Sequence, residues 1–133
     1  MKKLLSILVC VLLIPSFVAA QEKPKEAAAP GLKVDKAVAA TSVDNHEPVG
    51  ENKEFEASVG TVYCWSKIVA QTTPATVKHV WYTGDKKVFE KALEIKFPST
   101  RTWSSKAVTS GSWRVDITDE AGTVLSSVSF TVK

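Results

Sequence analysis

The chain of 133 residues is poor in cysteine and histidine, with two of each. Cys10 lies in an apolar N-terminal segment that we expect to be removed, which leaves Cys64 as the single thiol. One cysteine cannot form an intrachain disulfide, so a disulfide scaffold is excluded. The domain must therefore be stabilised by its core, where we expect Cys64 to be buried as a small apolar side chain. A disulfide between two chains is the alternative.

The folded part of the chain also lacks net charge. The formal charge of the whole sequence is +3, but from Val43 onward eleven basic residues balance eleven acidic ones. Proteins that bind nucleic acid carry a basic patch, and proteins held on anionic lipid carry a polybasic cluster. A balanced domain predicts neither partner.

Motifs for metal binding and catalysis are missing as well. No pair of potential ligands has the close spacing of zinc or calcium motifs, so no metal or cofactor is predicted. There is no glycine-rich phosphate loop and no nucleophile elbow. Cys64 activated by His79 is the one catalytic pair to consider, because a cysteine nucleophile needs a base within about 3 Å. We predict that the protein is not an enzyme and keep this pair as a less favoured alternative.

The longest apolar run lies within residues 1–20, MKKLLSILVCVLLIPSFVAA. Two lysines precede the run, small residues follow it, and it is shorter than the roughly 20 residues that cross a bilayer. This pattern is typical of a secretory signal peptide cut before Gln21. We therefore expect a protein that is periplasmic or secreted and is not inserted in the membrane after cleavage. Lipidation of Cys10 is the alternative, although bulky Val9 precedes it.

Residues 21–37, QEKPKEAAAPGLKVDKA, are rich in alanine, lysine, glutamate and proline. Such a composition cannot bury enough apolar surface to offset the entropy of the chain. It predicts a flexible linker between the signal peptide and the folded domain.

From residue 38 onward, short stretches of alternating apolar and polar residues are separated by turn residues. They predict strands near residues 38–44, 54–58, 60–70, 76–83, 87–96, 101–108, 112–118 and 123–132. No stretch has a helical period. The fold class predicted for residues 38–133 is therefore all-β, a small antiparallel β-sandwich of about seven or eight strands with an immunoglobulin-like arrangement. In this arrangement Trp81 is the inward tryptophan, and Gly122 takes a positive φ in the last hairpin.

Aromatic side chains provide the candidate binding surface. Alternation in TVYCWSKIVA buries Val62 and Cys64 and turns Tyr63 and Trp65 outward. If the next strand pairs with this one, Tyr82 joins them in a platform suited to sugar rings or peptide side chains. The alternative is that another strand, a loop or the linker covers these aromatics.

The stretch RTWSSK at residues 101–106 supplies further candidates. Its parity separates Arg101 and Trp103 from Ser104 and Lys106. Because Trp103 is the large aromatic, we predict that its face is inward, with Arg101 at the rim of the sheet. Ser104 and Lys106 then face outward and, with Arg101, are candidate binding residues.

The segments HEPVG, YCWSKI, HVWYTGDK, RTWSSK and GSWRVDITDEAGTVL together resemble a bacterial family, the domain of unknown function 2914, over about residues 43–132. The resemblance implies an exported or membrane-attached accessory domain without an assigned activity. It also implies that one recurring set of residues binds or packs together: His79, Trp81, Arg101, Trp103, Ser104, Lys106 and Trp113.

The function that we expect is that of a non-catalytic, exported accessory module, which binds a protein or glycan partner of the cell envelope through a polar-aromatic surface. The candidate binding residues are Tyr63, Trp65, His79, Tyr82, Arg101, Ser104 and Lys106. A carbohydrate-binding module is the alternative function.

Overall fold

A computed structural model describes residues 31–133 of the chain. The predicted signal peptide, Cys10 and residues 21–30 of the predicted linker lie outside the described residues. The described part contains ten strands and one 3-10 turn at Ala57–Val59. The strands are β1 (Leu32–Ala40), β2 (Ser42–Asp44), β3 (Glu47–Val49), β4 (Glu54–Phe55), β5 (Thr61–Ala70), β6 (Ala75–Thr83), β7 (Lys86–Ile95), β8 (Ser99–Ala107), β9 (Gly111–Asp119) and β10 (Val124–Val132).

Two sheets pack face to face and confirm the predicted all-β sandwich. One has the strand order β1-β5-β8 and the other β4-β10-β9-β6-β7, while β2 and β3 form a separate hairpin. The main ladders are antiparallel; only the short β4 runs parallel to β10. The chain changes sheets between β4 and β5, between β5 and β6, between β7 and β8, and between β8 and β9. Repeated changes of sheet are a feature of immunoglobulin-like sandwiches.

The core between the sheets follows from strict alternation along the central strands. β5 turns its even-numbered residues inward, and β6 and β9 turn their odd-numbered residues inward; these side chains are nearly all fully buried. As predicted, Trp81 is one of them, with no exposed surface. Its ring meets Trp113 and Phe130 edge to face, with centroids 6.5 and 6.2 Å apart. Such pairs add to the stabilisation from buried apolar area.

In the structure, the folded domain begins earlier in the chain than the predicted residue 38. β1 begins at Leu32, which is buried and pairs with Ala70. The last part of the segment predicted as a linker, residues 32–37, therefore belongs to the sheet. Leu32 and Val34 give this segment only a weak apolar pattern. It forms a strand nevertheless, because β5 supplies the hydrogen-bond partners that a linker lacks.

A second difference lies between residues 41 and 50. The sequence predicted one strand over 38–44 and a break at HEPVGEN, residues 46–52. The structure instead ends β1 at Ala40 and forms the β2–β3 hairpin, with Asp44 paired to Glu47. We call residues 42–49 the covering hairpin, because they fold over the outer face of β5 and β8.

The exposed strand edges carry features that discourage pairing with another chain. β1 has a bulge between Val34 and Lys36, and β7 is rich in lysine and glutamate. On β8, Lys106 lies on the inner side at the edge of its sheet, opposite Val62. Bulges and charges at these places are known protections against edge-to-edge association. In residues 31–133, no helix has the length and apolar character needed to cross a membrane.

Candidate functional site

The predicted platform of three aromatic residues does not assemble. β5 and β6 belong to different sheets, so Tyr82 lies on the opposite outer face of the sandwich from Tyr63 and Trp65. Tyr82 instead packs under Arg114, whose guanidinium carbon is 4.2 Å from the ring centroid. The prediction was wrong because it assumed that consecutive strands pair.

The predicted orientation of β8 is also wrong. Trp65 pairs with Trp103 across the β5–β8 ladder, and Cys64 pairs with Ser104. Since Cys64 faces the core, Ser104 faces it too and is buried, whereas Arg101 and Trp103 face outward. Lys106 shares the inner side with Ser104.

Ser104 belongs to a buried polar network between the sheets. Its Oγ is 2.7 Å from His79 Nδ1 and accepts a hydrogen bond of 3.0 Å from Trp81 Nε1. His79 Nε2 is 3.1 Å from Ser66 Oγ. These contacts are consistent with the tautomer in which Ser104 donates to Nδ1 and the Nε2–H of His79 donates to Ser66. Burial lowers the pKa of His79 from 6.5 to about 4, so the ring is neutral at pH 7.

This network occupies His79 on both ring nitrogens. Neither is left to act as a base for Cys64, which is fully buried in the core. Burial also raises the pKa of the Cys64 thiol well above its usual range, which keeps it protonated, and only the thiolate is a good nucleophile. The geometry therefore assigns His79 and Ser104 to the core and gives no support to a Cys64–His79 catalytic pair.

The outer face of the three-stranded sheet carries two adjacent rows of side chains. The ladders align Lys36, Lys67 and Arg101 in one row, which we call the cationic row. The next row along the strands contains Val38, Trp65 and Trp103. Each of the three strands contributes one residue to each row, so three cations lie beside two tryptophans.

The covering hairpin lies against the tryptophan row. The backbone carbonyl of His46 accepts a hydrogen bond of 2.9 Å from Trp65 Nε1, and the His46 ring meets Trp103 edge to face at 5.7 Å. Trp65 is consequently only 3% exposed, although it points outward from its sheet. On this side of the molecule, the alternative prediction that a loop covers the aromatic side chains is therefore the correct one.

Local sequence explains the tight shape of the covering hairpin. Asn45 and His46 both have positive φ, 57° and 66°, as a two-residue type I′ turn requires. Asparagine tolerates this region better than most residues. At the base, the backbone N–H and the Oγ1 of Thr41 both donate to the Val49 carbonyl at 3.0 Å. These contacts fix where the hairpin leaves β1.

A groove of about 450 Å³ lies between the covering hairpin and the cationic row. Each cation of the row meets one carboxylate across a side-chain ion pair: Arg101 with Glu47, Lys36 with Glu51 at 3.4 Å, and Lys67 with Asp35 at 3.7 Å. The groove is lined by Asp35, Lys36, Glu47, Trp65, Lys67, Ser99 and Arg101.

A wider groove of about 610 Å³ runs between β1 and β10. Its lining contains no aromatic side chain, and its charged residues are one glutamate and one lysine. The lining residues are Ala37, Val38, Ala39, Glu51, Asn52, Lys53, Ser127, Val128 and Ser129. The smaller groove at the cationic row is the better candidate site, because it combines a tryptophan with several charges.

Of the predicted binding residues, Arg101 and Trp65 meet in this groove. Tyr63 is half-buried, one row beyond Trp65 on the same face. The remaining predicted residues, His79, Tyr82, Ser104 and Lys106, lie elsewhere. Sequence reasoning missed Lys36 and Glu47, because their role depends on a bulge in β1 and on the fold of the covering hairpin. No group of three or more His, Cys, Asp or Glu side chains between residues 31 and 133 is arranged to hold a metal ion.

Replacing Trp103 by alanine tests the orientation of β8. An inward tryptophan would contribute roughly 3 to 5 kcal/mol. Trp103 is only half-buried, against His46 and Trp65, so we expect the free energy of unfolding to fall by about 2 kcal/mol. Urea denaturation measures this loss. A loss as large as that of an alanine at a fully buried tryptophan would contradict the outward orientation.

Comparison with protein families supports the predicted resemblance. A family model, "Protein of unknown function (DUF2914)", matches residues 74–132. The match confirms the resemblance for the part of the chain that contains β6 to β10, including Arg101 and Trp103, and starts later than the predicted residue 43. The covering hairpin and β5 lie outside it. No curated protein matches the chain.

Proposed function

Because residues 74–132 match a family with no assigned activity, we propose a function from the geometry. The protein is a non-catalytic, exported accessory module, periplasmic or secreted, that binds a partner protein in the cell envelope or outside the cell. Its binding site is the groove at the cationic row, with Arg101 and Lys67 as the principal contacts.

The observation that carries this proposal is the alignment of three cations beside two tryptophans on one face of the sheet. Tryptophan and arginine are enriched among the residues that dominate binding energy at protein interfaces. Arginine adds direction, because its planar guanidinium can hold a carboxylate through two parallel hydrogen bonds.

Carbohydrate binding has less support from the same geometry. It relied on Tyr63, Trp65 and Tyr82 as a flat stacking surface, and these side chains lie on two opposite faces of the sandwich. Trp65 is also covered by the hairpin, with 3% of its surface exposed. An exposed platform of aromatic rings is what sugar stacking would require.

Site-directed cross-linking tests the proposed function. A photoreactive amino acid at Ser99, in the groove, should capture a defined partner from envelope extract, and the same group at Lys86, at the start of β7 in the other sheet, should not. Capture from Ser99 should fall at least tenfold in Lys67→Ala, because hot-spot contacts are worth 2 kcal/mol or more.

Lys86→Ala is the matched control, because it removes one exposed lysine of equal charge. Circular dichroism should report the same fold for both variants. A partner captured equally well by wild type, Lys67→Ala and Lys86→Ala would show that the groove is not the binding site.

A further inference from the structure

We propose that Glu47 occupies the place of a ligand carboxylate. In this inference, which rests on the proposed function, the groove binds an extended acidic segment of the partner protein, and that segment displaces the covering hairpin. The ligand chemistry and the way in which the groove opens both follow from the contacts of the hairpin.

The covering hairpin supplies Glu47 to Arg101, and the residue two positions beyond its end, Glu51, pairs with Lys36. Only the third acid, Asp35, comes from the sheet itself. Lifting the hairpin segment would therefore leave two cations without counterions. A ligand that replaces the segment must bring negative charge to the same places.

The segment that now occupies the site is itself a peptide. Two successive residues fill the site: His46 offers its backbone carbonyl to Trp65 Nε1, and Glu47 offers its carboxylate to Arg101. A peptide in extended conformation can repeat both contacts, because every residue carries a carbonyl. A polysaccharide acid has a carboxylate but no peptide carbonyl, so it would need a hydroxyl or ring oxygen to accept from Trp65 Nε1. This difference favours a protein segment.

The spacing of the cations indicates the pattern of that segment. Neighbouring strands are about 4.8 Å apart, so the cations of the row are separated by about 5 to 10 Å. In an extended peptide lying across the strands, side chains at positions i and i+2 are about 7 Å apart. The expected ligand therefore carries acidic residues about two to four positions apart, as Glu47 and Glu51 are, next to an apolar residue for the tryptophan row.

The covering hairpin is weakly held. The side chains of Arg101 and Glu47 are 45% and 54% exposed, and ion pairs with such exposure contribute little to stability. The two strands of the hairpin have three residues each, which is too short for independent stability in water. Displacement therefore requires breaking few strong contacts.

The test uses a synthetic peptide with the hairpin's own sequence, residues 41–52, TSVDNHEPVGEN, added to the full mature chain. Removing the internal carboxylate by Glu47→Gln should make this peptide bind about three- to fivefold more tightly than it binds wild type. In the Glu47→Gln background, Arg101→Gln should weaken binding at least tenfold. Isothermal titration calorimetry measures the affinities.

Glu90→Gln is the matched control, because it removes an exposed, ion-paired carboxylate from the other sheet. It should leave the affinity unchanged. Displacement has its own readout, since Trp65 loses its cover when the hairpin lifts. Glu47→Gln should let the hairpin open. We therefore expect iodide to quench more of the tryptophan fluorescence in Glu47→Gln than in Glu90→Gln.

Three results would overturn the inference. The first is that Glu47→Gln and Glu90→Gln bind the peptide with equal affinity. The second is that the peptide binds no variant at millimolar concentration. The third is that polygalacturonate binds more tightly than the peptide. The Lys67-dependent capture of a partner could survive the first two results. Failure of that capture would instead remove the proposed function.

Discussion

Replacing Trp81 by alanine should lower the free energy of unfolding by about 3 to 5 kcal/mol. Trp81 has no exposed surface, and its ring packs edge to face against Trp113 and Phe130 of its own sheet on the side that faces the other sheet. The truncation also removes the hydrogen bond to Ser104 Oγ. Domains of this size have stabilities of about 5 to 15 kcal/mol, so the variant should be close to unfolding at 37 °C. Urea denaturation at pH 7 measures the change.

Trp81→Phe separates the two contributions of this side chain. It keeps an aromatic ring in the core and removes only the N–H donor and part of the volume, so we expect a loss of about 1 to 2 kcal/mol. Trp81→Ala and Trp81→Phe with equal stabilities would contradict the inward position of the ring.

The stability of the domain should fall as the pH falls from 6.5 to about 4, because of His79. Burial lowers the pKa of this histidine from 6.5 to about 4 in the folded protein. In that interval the unfolded chain binds a proton that the folded chain excludes, so protonation favours unfolding. No stability is lost on this account well above pH 6.5, and the loss of unfolding free energy reaches about 3 kcal/mol at pH 4.

Denaturation curves at pH 7, 6, 5 and 4 measure this dependence. His79→Leu should remove the loss between pH 6.5 and 5, where few carboxylates titrate. The control is His46→Gln, because His46 is the other histidine of the chain and lies on the exposed turn of the covering hairpin. A wild-type slope that persists in His79→Leu would show that other groups cause the acid sensitivity.

The stretch RTWSSK shows how far local reasoning reaches. Its alternation correctly separates Arg101 and Trp103 from Ser104 and Lys106. The choice between the two faces was wrong, because side-chain size favoured burying the tryptophan. Ser104 faces inward instead, where its hydroxyl meets His79 Nδ1 and Trp81 Nε1, two buried polar groups that would otherwise lack this partner.

Several parts of the site depend on contacts between residues far apart in the chain. Arg101 and Glu47 are separated by 54 positions, and Trp65 and His46 by 19. The type I′ turn at Asn45 and His46 is a local feature, but its position over Trp65 and Trp103 is not. No alternation within β5 or β8 could reveal that a hairpin from another segment covers both tryptophans.

Sequence alone determined the class of the fold, because alternation has the same period as the pleat and turn residues mark the strand ends. It therefore predicted the strands from residue 60 onward, the inward position of Trp81 and the positive φ of Gly122. Tertiary structure decided which strands share a sheet, which face of β8 is inside and what covers Trp65. These choices depend on pairing free energies and buried hydrogen bonds summed over distant residues, which a local pattern does not contain.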